Sequence, residues 1–533
     1  MNKKQLMIAA LATVLSITVA SATDITGVVG NNGVYNINPE KINGDVGYRQ
    51  YTNFNLSEGD IANLIYQGYK NGTLRDLGTF INLVNNKVNI NGILNAVKAD
   101  GTGHAVFISP NGMAVGSSGV LNVGTLSVIT PKTDAYNALT ADYAVNNFEN
   151  INQINKMRNG DNRVPAINNY GGNGEVKIDG YVFTRNGADI RGSKVDVNGG
   201  IVNGYKVNEN FTAGNFDGQA SAAALFNTLV NTNGIAAPAS KIVSNGTSVV
   251  IKSGAGEDNY LKVTGKVANL ADGETVLTNH GDQGLTLNGA VVAGNGKVNI
   301  YNNNAASALT ASNGARANAH KGDLSVTSKG GMDLKAGTNF NANKNLEVVN
   351  KGDAMALNGA LYAGDRVDIV NSGANGATVN GTIGSGSSKP NTVRIVNEKG
   401  KLTFAATANA NKSVSIRNTE TANGADVNGV INAGEGVLVH NEKGNLNLNG
   451  KINVAKGVVV DEDTENVAVA IYNQGNGKLS TGTASEITVN EGNIAIKNAG
   501  TNGMKLQGKL TNEKGVTAIN NMAGAMDVTG TIA

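Results

Sequence analysis

Residues 80–130 consist of short apolar segments that each end in a glycine-containing turn. Val88–Ile90 precedes the dipeptide Asn91-Gly92, and Val106–Ile108 precedes the tetrapeptide Ser109–Gly112. Apolar residues at alternate positions, bounded by turn residues, are typical of half-buried strands. Strands this short and this closely spaced leave no room for crossover helices, so successive turns of the chain must stack directly on one another. This stretch therefore predicts a β-solenoid.

The turns in this stretch carry the residues that tight turns require. Pro110 presets φ for a turn, and Asn111 and Gly112 accept the positive φ that follows. Asn91 and Gly92 offer the same chemistry between two strands. On these grounds alone, the five residues are corner residues of a solenoid.

The order of these segments also resembles a known family. The sequence VFISPNGMAVGSSGVLNVGTLSVITP, preceded by "ING-L", is similar to the two-partner-secretion domain of filamentous haemagglutinin-type exoproteins, closest to the large filamentous adhesins and leukotoxin-like proteins. Ser109 stands where the family usually has asparagine, and the family's separate Asn-Pro-Asn-Leu turn is absent from this sequence. The resemblance is specific over about fifty residues and looser back to Ile25.

The resemblance implies an all-β fold, a right-handed parallel β-helix. It implies a partner as well, an outer-membrane transporter whose periplasmic domains recognise the N-terminal region. By the same resemblance, Asn91, Gly92, Pro110, Asn111 and Gly112 are the candidate secretion motif.

The first 22 residues have the pattern of a secretory signal peptide. Lys3 and Lys4 form a positive start, and an apolar run follows over residues 6–19. Ala20 and Ala22 flank Ser21 as a small-residue cleavage site, which predicts a mature chain beginning at residue 23. The apolar run is short for a membrane-spanning helix.

Charge and cysteine content narrow the function classes. The 43 basic and 41 acidic residues nearly cancel, so the balance does not indicate binding to nucleic acid or to a membrane surface. The chain has no cysteine. One interpretation of this absence is that a disulfide formed in the periplasm would block export of an unfolded chain. The other is that stacked strands are stable enough without disulfide bonds.

Residues 23–243 are predicted to form an N-terminal domain of the secretion type. Ser57–Asp60 resembles a helix N-cap, and Ile61, Leu64, Ile65 and Tyr69 follow at helical spacing. This pattern predicts a helix that covers the N-terminal end of the stack, with a partner-binding helix as the alternative. Residues 136–158 have irregular apolar spacing, which predicts a helix or a long excursion from the solenoid, and residues 219–230, rich in alanine and leucine, predict a second helical segment. Of 24 Tyr and Phe residues, 18 lie at or before residue 226, because thin coils have little room for rings.

Residues 244–533 are predicted to form a repetitive shaft. Two markers recur at intervals of about 21 to 26 residues or their multiples, a period typical of solenoid coils. Asn-Gly before a strand occurs at Asn288, Asn358, Asn380, Asn428 and Asn449, and an apolar-x-Asn strand end occurs at Asn350, Asn371, Asn397, Asn418 and Asn441. The period predicts about a dozen coils, a length of roughly 60 Å, and asparagine side chains stacked at the corners.

Two irregularities accompany the shaft. The second marker is missing near Asp461–Asp463, which predicts a longer loop between coils. The sequence then stops at residues 528–532 within a repeat and without a capping segment. We expect the chain to be part of a longer exoprotein.

The sequence does not indicate catalysis. Asp461–Glu465 is the densest acidic cluster, and a solvated loop explains it. The four histidines lie far apart without metal-ligand spacing, and His104 follows Gly101–Gly103 in what is predicted to be an exposed turn. There is no cysteine nucleophile and no G-x-S-x-G motif. The sequence therefore predicts no enzyme, no cofactor and no metal site.

The sequence as a whole predicts a secreted filamentous adhesin on the outer surface of the cell, reached through the periplasm. It would attach to host cells, matrix or other bacteria through a receptor that the sequence does not identify. A leukotoxin-like cytotoxin is the first alternative, and lysis of host cells by the purified protein would distinguish it. The second is a carbohydrate-active β-helix enzyme, which requires carboxylates converging on one face.

Overall fold

The computed structural model describes residues 22–96, 98–152, 174–206, 221–231, 234–386, 388–419, 421–457 and 467–533. Over these ranges the chain is a parallel β-solenoid of about 19 turns with few helices. The fold class predicted from the strand spacing is confirmed. The predicted signal peptide up to residue 21, with Ala20, and the acidic cluster at residues 461–465 lie outside the described residues.

Each complete turn adds one strand to each of three sheets, named A, B and C. Alternation along each strand separates an inward from an outward face. Leu324, Val326 and Ser328 are buried in one sheet C strand, whereas Ser325 and Thr327 between them are only half-buried. Similar residues stack from coil to coil, as Leu285 does on Leu309. The inward residues form one continuous core along the axis.

The described residues place 18 strands in each sheet, and they stack in the following order. Sheet A contains Asp24–Ile25, Phe54–Leu56, Val88–Ile90, Gly112–Val115, Glu175–Ile178, Lys194–Val197, Leu261–Val263, Leu285–Leu287, Leu309–Ala311, Met332–Leu334, Met355–Leu357, Ala377–Val379, Gly400–Phe404, Ala422–Val427, Leu446–Leu448, Leu479–Thr481, Met504–Leu506 and Met526–Val528. Sheet B contains Val34–Ile37, Ile61–Leu64, Ile93–Ala96, Val120–Val123, Tyr181–Thr184, Gly200–Asn203, Lys266–Asn269, Ala290–Ala293, Arg316–Ala319, Asn339–Ala342, Ala360–Ala363, Thr382–Ile383, Thr407–Ala410, Val430–Ala433, Lys451–Val454, Glu486–Val489, Lys509–Asn512 and Thr531–Ile532. Sheet C contains Lys41–Asn43, Val46–Tyr51, Thr79–Val84, His104–Ile108, Thr125–Ile129, Ala188–Gly192, Val249–Ser253, Thr275–Asn279, Val298–Asn302, Leu324–Ser328, Asn345–Asn350, Arg366–Asn371, Thr392–Asn397, Ser413–Asn418, Gly436–Asn441, Val467–Asn473, Asn493–Asn498 and Thr517–Asn521.

The shaft has the predicted number of coils. Twelve strands of sheet C follow residue 244, so the expected dozen is confirmed. The ladder runs without interruption from the N-terminal region into the shaft, because Ala188–Gly192 pairs with Val249–Ser253 in parallel. The division at residue 243 remains a prediction about domains within one continuous stack.

A buried column of polar side chains runs along the end of the sheet C strands. Its members lie in register on successive coils, and all except the last are buried. The column consists of Asn279, Asn302, Ser328, Asn350, Asn371, Asn397, Asn418, Asn441, Asn473, Asn498 and Asn521. From Asn350 onward each amide Nδ2 donates to Oδ1 of the next asparagine at 2.7–2.8 Å. The predicted asparagine ladder is confirmed.

The same amides also satisfy the turns. Asn397 Nδ2 donates to the carbonyl oxygen of Gly400 at 3.0 Å, and Asn441 Nδ2 donates to that of Gly444 at 2.8 Å. Each of these two asparagines therefore pairs a turn carbonyl that would otherwise be buried without a donor. The ladder continues across the longer spacing of 32 residues from Asn441 to Asn473.

The N-terminal end of the stack is closed by antiparallel strands. Asp24–Ile25 pairs antiparallel with Phe54–Leu56, and Lys41–Asn43 pairs antiparallel with Val46–Tyr51. The helix predicted after Ser57 is wrong. Ser57–Asp60 is a turn, and Ile61–Leu64 is a strand of sheet B between two parallel neighbours. Residues that favour an N-cap also favour a turn, and the templating strands decide between the two.

The remainder of that predicted helix forms a projecting hairpin. Gln67–Lys70 pairs antiparallel with Thr73–Asp76. Asn71 and Gly72 connect them with φ of +52° and +75°, a two-residue turn in which both residues have positive φ. The Asn-Gly dipeptide therefore marks a hairpin rather than the end of a helix.

Of the two openings left for residues 136–158, the described part shows helices, and the helical segment predicted over 219–230 is confirmed where it is described. Helix α1 is Thr133–Ala144, α2 is Glu149–Asn152 and α3 is Ala222–Leu229, and a 3-10 turn occupies Ala239–Lys241. Helices α1 and α2 cover the outer face of the first coils of sheet C, and α3 covers part of sheet B. A short antiparallel pair, Val230–Asn231 with Gly234–Ile235, follows α3.

Candidate functional site

The Ser109–Gly112 turn lies at the corner between sheets C and A. It joins the strand His104–Ile108 to the strand Gly112–Val115. The amide of Gly112 donates to the carbonyl of Ser109 at 3.3 Å, and Gly112 has φ of +91°. A Cβ atom at this position would lie 2.0 Å from the carbonyl oxygen of Glu175 in the next coil. Glycine is required here by both backbone conformation and space.

The turn rests on the corner of the preceding coil through side-chain hydrogen bonds. Ser109 Oγ donates to the carbonyl of Asn86 at 2.9 Å, and Asn111 Nδ2 donates to the carbonyl of Asn85 at 2.8 Å. Ser109 Oγ also accepts from the amide of Asn111 at 3.2 Å. Ser109 therefore has a defined structural role at the position where the resembling family usually has asparagine.

The same corner continues toward the N-terminal end of the stack. Asn86 Nδ2 donates to Asn53 Oδ1 at 2.6 Å, and Asn53 Nδ2 donates to Asp24 Oδ2 at 2.7 Å. These bonds link the candidate turn to the antiparallel strand that closes sheet A. Sequence reasoning missed Asn85 and Asn86. Their signal was an asparagine pair one coil before Ser109 and Asn111.

Helix α1 lies beside this corner. The Tyr136 hydroxyl donates to Asn85 Oδ1 at 2.9 Å, so the helix and the turn contact the same residue. Burial raises the pKa of the Tyr136 phenol above its usual value, which keeps it a neutral donor. Lys41 Nζ donates to the carbonyl of Tyr143 at 2.6 Å and neutralises the C-terminal end of α1. Helix α1 is therefore held in place beside the Ser109–Gly112 turn.

Among the candidate turn residues, Asn111 is the accessible one. Its side chain is exposed, whereas Pro110 and Gly112 are buried. A partner that reads this turn would contact the Asn111 amide and the rim formed by α1. Pro110 and Gly112 would affect recognition only indirectly, by fixing the backbone shape of the turn.

The second candidate turn lies at a different corner. Asn91 is exposed and Gly92 is buried between sheets A and B. A Cβ atom on Gly92 would lie 2.3 Å from the carbonyl oxygen of Asp60. Ser118 Oγ in the next coil donates to the carbonyl of Asn91 at 2.9 Å. Gly92 is therefore fixed by close contact between coils.

The structure does not bring the two turns together. The strand Val88–Ile90 pairs with Met113–Val115, and the turns lie at opposite ends of these adjacent strands. Three residues of strand separate them, about 10 Å. The five candidate residues therefore form two separate surface features rather than one site.

The predicted cleavage site lies at the edge of the described chain. Ala22 is exposed, and Thr23 after it is half-buried. Thr23 Oγ1 accepts from the amide of Ser57 at 2.8 Å and donates to the Asp60 carboxylate. The predicted first residue of the mature chain is thus bound to the stack.

The histidine and acidic side chains are the remaining candidates for a metal or catalytic site. In the part of the chain that the structure describes, no group of three or more histidine, aspartate or glutamate side chains is placed to hold a metal ion. His104, expected in an exposed turn, is instead a buried strand residue whose Nε2 lies 2.8 Å from Ser127 Oγ. The strand His104–Ile108 begins directly after Gly103, so His104 belongs to the strand and not to the glycine-containing turn.

No protein-family model matches the chain, and no curated protein matches it. Within the described ranges, the helices are all too short or too polar to cross a membrane.

Proposed function

We propose that this chain is a filamentous surface adhesin exported by two-partner secretion. The N-terminal region would be bound in the periplasm by the recognition domains of an outer-membrane transporter. The observation that carries the proposal is the exposed Asn111 amide, held on a rigid corner within the stretch that resembles the secretion domain.

The topology supports export of an unfolded chain. Strands of the shaft bond to the coil before and the coil after, as Asn345–Asn350 does between Leu324–Ser328 and Arg366–Asn371. Each emerging coil can therefore fold on the one already outside, and the burial of its apolar residues favours outward movement. The absence of cysteine means that no disulfide forms before export.

The shaft supports the adhesive part of the proposal. A dozen stacked coils, joined by a buried amide ladder, separate the far end of the shaft from the N-terminal region. Outward residues on the strands can vary without changing the core, because they alternate with the inward ones. Such a surface suits attachment to host cells, matrix or other bacteria.

The test is transporter-dependent secretion of the full chain. The protein would be expressed with its own leader, with and without a cognate transporter, and quantified outside the cell. We expect release only with the transporter, and a loss of about tenfold for Asn111→Ala, since one amide contact to the partner is worth roughly 1–1.5 kcal/mol. Asn380→Ala is the matched control, because Asn380 is an exposed turn amide of the shaft.

Two outcomes would contradict the proposal. Equal amounts outside the cell with and without the transporter would exclude two-partner secretion. An Asn111→Ala variant that is secreted like Asn380→Ala would remove Asn111 from recognition. Thermal unfolding of the purified variants controls for folding, since each variant loses one exposed side-chain hydrogen bond, from Asn111 to Asn85 or from Asn380 to Asn358, worth about 0.5–1.5 kcal/mol.

A further inference from the structure

A groove of about 320 Å³ follows the corner between sheets A and B beside α3. One wall is a column of outward side chains at the start of successive sheet B strands. In register along the axis, the wall reads Tyr181, Lys266, Ala290 and Arg316, and Gly200 between the first two lies under the Phe226 ring. Large and small residues alternate, so the two cations stand apart with a shallow recess between them.

Among the residues that the structure describes, neither cation in the groove has an acidic partner. Lys266 Nζ donates to the carbonyl of Val230 at 3.3 Å and makes no ion pair with the residues that the structure describes. Within the same ranges, the Arg316 guanidinium makes neither a hydrogen bond nor an ion pair. Both side chains are only half-exposed, so a bound anion would be partly shielded from water. They lie two coils apart, about 10 Å along the axis.

A carboxylate at the rim does not neutralise them. Asp179 accepts a hydrogen bond from Asn198 of the groove at 2.9 Å, but it is paired with Lys177 at 3.0 Å. These bonds hold the Asp179 pKa below its ordinary value despite partial burial. Among the described residues, the charges that a ligand in the groove would meet are therefore the positive ones of Lys266 and Arg316.

The rest of the groove is neutral, hydrogen-bonding and narrow. Its floor is a stack of glycines, and a Cβ atom on Gly265 would lie 1.8 Å from the carbonyl oxygen of Gly199. Asn198, Asn227 and Thr264 supply amides and a hydroxyl at the sides. The Tyr181 ring, 5.3 Å from the Phe226 ring, closes one end with a half-buried apolar surface.

These walls suit a sugar chain better than a peptide. The strand amides are already used between coils, as the amide of Lys266 donates to Gly199 and that of Arg316 to Gly289. A peptide therefore finds no free strand edge to pair with. Hydroxyl groups would pair with the side-chain amides, and the less polar face of a sugar ring would lie on Tyr181.

We propose that this groove binds an unsulfated acidic polysaccharide with a carboxylate on alternate sugars. Successive carboxylates would pair with Lys266 and Arg316, and the intervening sugar would lie over Ala290. Two well-separated cations match a chain of low charge density rather than a heavily sulfated one. The inference supplies a ligand class for the proposed adhesive function and rests on it only for its biological setting.

Short hyaluronan fragments are the probe, because hyaluronan carries one uronate in every disaccharide. Titration calorimetry of the full chain should show binding that weakens with salt and is lost with carboxyl-reduced hyaluronan. The double variant Lys266→Gln/Arg316→Gln should bind at least about tenfold more weakly, because it loses both charge-assisted bonds to the carboxylates. Lys509→Gln, at the same position of a later sheet B strand, should bind like the parent.

Several results would overturn the inference. These are an absence of hyaluronan binding by the folded parent, equal binding of the carboxyl-reduced polymer, and equal weakening by Lys509→Gln. Binding of poly-glutamate as tightly as hyaluronan would exclude the saccharide and favour an acidic peptide. If secretion depends on the transporter but any of these results is found, the export proposal stands and only the assignment of a ligand to the groove is rejected.

Discussion

Replacing Asn397 with aspartate is expected to lower the free energy of unfolding by about 4 kcal/mol at pH 7. Asn397 is fully buried, accepts from Asn371 Nδ2 at 2.8 Å, and donates to Asn418 Oδ1 at 2.8 Å. An ionised aspartate would keep the first bond and turn a second oxygen toward the oxygens of Asn418 and Gly400. The carboxylate would be buried without a donor on that side.

The cost should depend on pH in a defined direction. Burial and facing acceptors raise the pKa of the aspartate in the folded state above its unfolded value of about 3.9. Between these two pKa values the folded state binds more protons than the unfolded state. The stability of the variant therefore falls as pH rises from the unfolded pKa to the folded one. Near pH 3 the protonated acid can donate to Asn418 as the amide does, and the difference from the parent should shrink.

The measurement is denaturant unfolding of parent and variant at pH 7 and near pH 3, with hydrogen exchange to locate the loss. Asn380→Asp is the matched control, since the Asn380 amide donates to Asn358 at 2.9 Å on the exposed surface. That substitution should cost less than about 1 kcal/mol. Equal losses for the two variants would show that the buried ladder does not stabilise the shaft.

Gly112→Ala is expected to destabilise the N-terminal coils by about 4 kcal/mol. An L-residue with a φ of +91° costs roughly 1–2 kcal/mol, and overpacking adds about 1–3 kcal/mol. The added Cβ would lie 2.0 Å from the backbone oxygen of Glu175, which belongs to a strand and cannot move alone. The coil of Glu175 would have to separate from its neighbour.

Gly436→Ala is the control for this second substitution. A Cβ atom at Gly436 would lie 3.7 Å from its nearest neighbour, the carbonyl oxygen of Ala468, which is ordinary contact. Thermal unfolding followed by circular dichroism, together with exchange at strand amides of residues 112–115 and 175–178, should separate the two. A Gly112→Ala variant as stable as the parent would mean that the turn is not fixed by the stack.

Most of the shaft could be predicted because its signals are local and repeated. Asn371, Asn397 and Asn418 recur one coil apart, and each recurrence confirms the period of the others. A period also fixes which residues stack, since parallel coils in register place equal positions above one another. The asparagine ladder follows from the period and the chemistry of stacked amides.

The N-terminal end could be predicted less well because it depends on contacts distant in sequence. The segment from Ser57 has both turn and helix chemistry, and its strand exists because Val34–Ile37 and Ile93–Ala96 lie on either side. Likewise, the Tyr136 contact to Asn85 spans 51 residues. No local pattern could have shown that α1 and the candidate turn share a neighbour.

The order of the coils determines how the shaft responds to force. Hydrogen bonds between coils run along the axis, so a pull on the two ends loads the coils in series. The coil that yields first releases the 21 to 26 residues that separate successive ladder asparagines in most of the shaft. That length extends to about 70–90 Å, against the roughly 4.8 Å that the folded coil contributes. A cell tethered through such a shaft in flowing liquid would have its load dissipated one coil at a time.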